Sequence, residues 1–176
     1  MTAEISKFIW VKQGALAAFA FLILFYNLIP VSLTPDDLPK PDLLYCVIAA
    51  IIVRRPQIAP FWLVVAIFLT LDIFLQRPLG AWTLCMLLAL EAVRARRYFI
   101  RSQLFSYEWV VVLLIYLVAL IVFRFILTVS LVAMPPLSAD VISFFITVVL
   151  YPIIVFGLAT LFGLRRPNTG KRGETQ

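Results

Sequence analysis

An all-α, polytopic membrane protein with six transmembrane helices is the fold class this sequence predicts. Three observations carry that expectation. Hydrophobic residues make up 64% of the 176 positions and the mean hydropathy is +1.06, whereas a soluble domain runs nearer half apolar. The apolar residues gather in helix-length runs, not in the short alternating strands of an outer-membrane barrel. The basic residues fall in short clusters between those runs, as on a cytoplasmic membrane face. The expected organisation is one six-helix transmembrane domain over residues 1–166, followed by a disordered cytoplasmic tail over 167–176.

The first run, "GALAAFAFLILFYNLIPVSL" (residues 14–33), follows Lys7 and Lys12. It is too long for a signal peptide and no small-x-small cleavage site follows it, so it reads as a retained helix with Lys12 snorkelling to the inner interface. The acidic, proline-rich connector "TPDDLPKPD" (34–42) cannot be helical throughout. The second run, 43–53, spans only roughly 17 Å of a hydrocarbon core about 30 Å thick. It must extend into its flanks, tilt little, or be shielded by neighbouring helices. "RRPQ" (54–57) turns the chain into the third run, 58–75, which contains Asp72. The fourth, 80–93, is again short and enters "RARRYFIRSQLF" (94–105), whose basic, aromatic and aliphatic alternation suits a helix at headgroup level. The fifth, 109–133, carries Arg124, and the sixth, 141–164, contains Pro152, a kink site.

Orientation follows from the lysines and arginines. Six crossings with both termini inside place Lys7, Lys12, Arg54, Arg55, Arg94, Arg96, Arg97, Arg101, Arg165, Arg166, Lys171 and Arg172 on the inner side, twelve of the fifteen basic residues. A re-entrant second run would move residues 94–101 outside, against the positive-inside rule. The same placement argues against nucleic-acid binding despite a net charge of +6, since no basic arm or aromatic-interleaved patch of useful size is present.

The charges within apolar runs raise the functional question. Asp72 lies fifteen residues past Gln57, and Arg124 fifteen past Trp109, so each sits roughly 22 Å up its helix. A lone charge at mid-membrane costs roughly 2.5–3.5 kcal/mol on insertion scales. Asp72 and Arg124 therefore form a candidate intramembrane ion pair. Two alternatives stay open: a local pair of Asp72 with Arg77, or a ligand or proton site. Arg54, Arg55, Glu91 and Arg94 form a candidate inner-face charge cluster, with Glu91 and Arg94 on one helix face. Arg96, Arg97 and Arg101 are candidates for contact with lipid or a partner. Gly14, Ala17 and Ala18 make a small-residue face on the first helix.

Catalytic candidates do not emerge. Histidine is absent, which removes the commonest metal ligand and proton shuttle. Cys46 and Cys85 stand alone in separate apolar runs and read as small buried hydrophobes. Serines and threonines lack a base, and no carboxylate cluster has metal-ligand spacing. Neither an enzyme nor a cofactor is expected.

Three stretches carry a resemblance: "PDLLYCVIAAIIVRRPQIAP", "LDIFLQRPLGAW" and "EAVRARR". Together they resemble the MreD family, the small rod-shape-determining membrane proteins of bacteria, and its alphaproteobacterial branch in particular. The family's Pro-Asp step, helix aspartate and Leu-Gly turn fall here on Pro41, Asp42, Asp72 and the turn Arg77, Pro78, Leu79 and Gly80. One departure is "AIFLTLD", where many members carry glycine before the aspartate. The resemblance implies a non-catalytic scaffold of the cell-elongation machinery in the bacterial inner membrane, organising peptidoglycan synthesis and maintaining rod shape. Its implied partner is MreC, within a wider complex of MreB, RodA and a penicillin-binding transpeptidase. The family is also similar in architecture to the substrate-binding subunits of energy-coupling-factor transporters. A small-molecule-binding transporter subunit is therefore the alternative function.

Overall fold

The computed structural model describes residues 2–28, 41–76, 78–131 and 136–161. Among these the chain is all-helical, with six helices: α1 (Thr2–Leu28), α2 (Leu43–Arg54), α3 (Phe61–Phe74), α4 (Ala81–Ser102), α5 (Phe105–Val129) and α6 (Leu137–Leu161). Three segments are long and apolar enough to cross a membrane: Ile9–Leu28, Phe105–Val129 and Leu137–Thr160. α2 and α3 are shorter apolar helices. Most of the acidic connector and the whole of the 167–176 tail lie outside the described residues.

α2 is the axis of the bundle. Its twelve residues rise only about 18 Å, yet every position from Leu44 to Val53 is buried. Of the three ways a short apolar run can be accommodated, shielding is the one adopted. α4 and α6 cover α2 extensively and α1 more lightly. Alanines 49 and 50, both fully buried, allow that close approach. A helix hydrophobic all round belongs at the centre of a bundle.

α4 joins the halves, packing against α2, α3 and α5. It runs unbroken from the fourth apolar run through the basic segment 94–102, which is thus the end of a long helix and not a separate one. Its hydrophobic face holds Trp82, Met86, Leu90 and Val93. Trp82 meets Phe123 of α5 edge to face at 4.7 Å between centroids. Tyr45 of α2 stacks on Tyr116 of α5 at 4.7 Å. Pro152 sits within α6, which continues on both sides of it.

The outward faces of α1, α5 and α6 are apolar. Phe21, Leu22 and Phe25, then Ile121 and Phe125, then Phe145, Val149 and Phe156 are all exposed. Soluble monomers rarely expose apolar surface on this scale, so these faces suit the lipid of a membrane. Gly14 and Ala18 of the small-residue face also point outward, and a Cβ added at Gly14 meets nothing within 4 Å.

Candidate functional site

Five buried or half-buried polar clusters interrupt the apolar packing, and each fixes a helix end or joins two helices. The first is built on Asp72, in the last turn of α3 and fully buried. α4 begins after Gly80, whose φ of +83° is a left-handed conformation that glycine adopts without penalty. Glycine has no side chain to cap the orphan N–H groups of the first turn. Asp72 supplies that cap from the preceding helix. Its Oδ2 accepts from the Gly80 and Thr83 backbone N–H groups, each at 3.1 Å, and from the Thr83 hydroxyl at 2.7 Å. A carboxylate beside a helix N-terminus is further favoured by the helix dipole.

The expected pairing of Asp72 with Arg124 is corrected by this geometry. Arg124 instead pairs with Asp140, in the first turn of α6. Matching heights along two helices fix only one coordinate. α4 packs against both α3 and α5 and separates them. Arg124 lies near the C-terminal end of α5, and Asp140 at the start of α6 lies alongside it. The local alternative through Arg77 lies outside the described residues. Of the remaining turn residues, Pro78 is half-buried and Leu79 is exposed.

The second cluster is at the C-terminal end of α2. Arg54 donates from Nη1 to Glu108 Oε1 at 2.9 Å, with the Glu108 side chain fully buried. The same guanidinium nitrogen reaches the Ala50 carbonyl at 3.1 Å. Tyr151 of α6 donates its hydroxyl to Glu108 Oε1 at 2.9 Å. One carboxylate on α5 therefore ties α2 and α6 together. Neither Glu108 nor Tyr151 was singled out in the sequence, although Glu108 shares a stripe with the buried Val112, Tyr116 and Ala119.

The inner-face cluster expected from Arg54, Arg55, Glu91 and Arg94 thus divides. Arg54 belongs to Glu108. Arg94 lies 3.3 Å from Glu91 and donates to the Ala59 carbonyl at 2.7 Å, which fastens α4 to the loop after α2. Arg55 is exposed. Arg96 and Arg101 are exposed as well, and Arg97 lies over the Tyr98 ring at 4.5 Å. Arg96 and Arg101 are therefore open at the surface, whereas Arg97 is half-buried and donates to the Tyr98 hydroxyl at 2.7 Å.

The last cluster starts at Pro41 and Asp42. Asp42 is the N-cap of α2, its side chain accepting from the Tyr45 N–H at 3.1 Å. Its own N–H donates to the Thr147 hydroxyl of α6 at 3.2 Å. Tyr45 in turn donates its hydroxyl to the Val112 carbonyl at 2.8 Å, and Trp109 donates to the Val148 carbonyl at 3.0 Å. Cys46 and Cys85 are free thiols and both are buried. Among the described residues, no three His, Cys, Asp or Glu side chains gather as metal ligands would. No protein-family model, curated protein or solved structure matches the chain.

Proposed function

We propose that the chain is a non-catalytic scaffold of the cell-elongation machinery in the bacterial inner membrane, of the MreD type, whose direct partner is MreC. On this reading all six helices cross the bilayer and both termini are cytoplasmic. The protein sits in a wider assembly with MreB, RodA and a penicillin-binding transpeptidase. One observation carries the proposal. Three of the positions on which the resemblance rests, Asp42, Asp72 and Gly80, are helix-end residues: the caps of α2 and α4 and the left-handed turn before α4. Such residues fix the relative placement of helices, which is what a protein that presents a shaped surface to other membrane helices needs. Asp72 and Arg124, which an outward-facing polar pocket would use, are each engaged in a separate helix-end contact.

The test is purification in mild detergent from the native host, with mass spectrometry of both proteins and small molecules. Stoichiometric MreC with no retained metabolite is the expected result. A retained small molecule, accompanied by energy-coupling subunits in place of MreC, overturns the scaffold and establishes the transporter alternative.

A further inference from the structure

Pro152 interrupts the backbone hydrogen bonding of α6. It has no N–H to give to the carbonyl four residues earlier, that of Val148, and its ring crowds the same oxygen. Away from water a carbonyl without a donor is costly, and a neighbouring helix is one source of a replacement. α5 supplies it. Trp109 donates from Nε1 to the Val148 carbonyl at 3.0 Å. Its neighbour Glu108 accepts from the Tyr151 hydroxyl at 2.9 Å. Two consecutive residues of α5 thus hold α6 in the turn just before its proline.

The two sides of Pro152 are held differently. Before it, α6 is tied by polar contacts. Asp140 pairs with Arg124, Thr147 accepts from the Asp42 N–H at 3.2 Å, and Val148 and Tyr151 meet α5. After it, the contacts are apolar. Val155 is buried, while Ile153 and Phe156 are exposed. Ile154 and Leu158 line a groove shared with α1 and α2. Thr160 donates back to the Phe156 and Gly157 carbonyls of its own helix. The groove also leaves room for movement, since a Cβ built on Gly157 meets nothing within 4 Å. Residues 153–161 extend roughly 13 Å, so a change of about 20° at the proline moves their end by roughly 4–5 Å.

We propose that α6 is hinged at Pro152, that residues 153–161 bend as a unit relative to the rest of the bundle, and that Trp109 is the latch on the hinge. A carbonyl held by a side chain is released when that one side chain turns, without unwinding the helix. Hinges of this kind confine a large dihedral change to a few residues. The protein then has one adjustable face, on the side where α1, α2 and α6 meet. The inference needs neither the scaffold nor the transporter reading.

Hydrogen exchange of the full chain in mild detergent, read by mass spectrometry, tests this. In the wild type, residues 153–161 should exchange faster than residues 141–151. Trp109→Phe keeps an aromatic ring but loses the donor. It should speed exchange of 153–161 about five-fold relative to 141–151. Pro152→Ala returns a backbone donor to the Val148 carbonyl. It should slow 153–161 on its own and cancel the effect of Trp109→Phe in the double variant. That rescue separates a latch from a tryptophan that merely fills space. Exchange that rises equally on both sides of Pro152 overturns the proposal, as does a Trp109→Phe effect just as large in the Pro152→Ala background. If Trp109→Phe does not fold, Pro152→Ala alone decides, and unchanged exchange of 153–161 overturns the hinge.

Discussion

Glu108 is the residue on which the most depends. Its carboxylate, buried on α5, meets Arg54 from α2 and Tyr151 from α6. Removing one member of a buried ion pair leaves the other charge without compensation, at about 3–5 kcal/mol. Glu108→Ala should therefore cost about that much in a thermal melt of the detergent-solubilised protein. Arg54→Met with Glu108→Leu should recover most of it, because the pair's desolvation cost disappears with both charges. A double variant no more stable than Glu108→Ala would show that the pair is not what holds these helices. The arginine was legible in the sequence as part of a basic turn. Its partner was not, because Glu108 stands between Tyr107 and Trp109 at the mouth of an apolar run, where a carboxylate reads as an interfacial flank. The signal lay in the spacing of Glu108, Val112 and Tyr116, which puts the acid on the buried stripe of α5. Arg124 shows the converse limit. Rise per residue gave its height, but only the packing of α4 between α3 and α5 showed that Asp140, not Asp72, lies opposite.

At the scale of the element, the junction of α3 and α4 turns an apparent liability into a cap. The fully buried Asp72 satisfies donors that Gly80 cannot. Thr83→Val removes only the hydroxyl bond and should cost about 1 kcal/mol. Asp72→Ala removes the acceptor for all three bonds and leaves two backbone N–H groups unpaired, which should cost about 2–4 kcal/mol by the same reasoning. Graded melting temperatures for the two variants check this. Equal losses would mean that the backbone bonds contribute nothing. The length of α2 showed that roughly 18 Å of helix needs help to span lipid, with shielding one of three ways open. Which helices would enclose it was not legible, because α4 and α6 reach it through contacts distant in sequence. The unbroken course of α4 into residues 94–102 was also hidden, since its composition changes from apolar to basic while the backbone remains helical.

For the whole molecule, length and composition identify three helices as capable of crossing a membrane, while six crossings are needed to place the basic clusters on one side. The two arrangements predict opposite sides for the same loops. With α1, α5 and α6 as the only crossings and the N-terminus inside, everything between α1 and α5 would be external, including Arg94, Arg96, Arg97 and Arg101. With six, the loop between α4 and α5 is internal and the end of α5 is external. Gln103 and Ser130 are exposed at those two places, and the native thiols Cys46 and Cys85 are buried. A membrane-impermeant maleimide applied to intact spheroplasts should therefore label Ser130→Cys, and label Gln103→Cys only after permeabilisation. The reverse pattern would establish three crossings and place the basic end of α4 outside, against the distribution of positive charge that orients membrane proteins. If six helices cross, α2, too short to face lipid along its whole length, does so enclosed by protein. On that reading the apolar part of α4, residues 81–93, rises about 20 Å within the bilayer and its basic end lies at headgroup level.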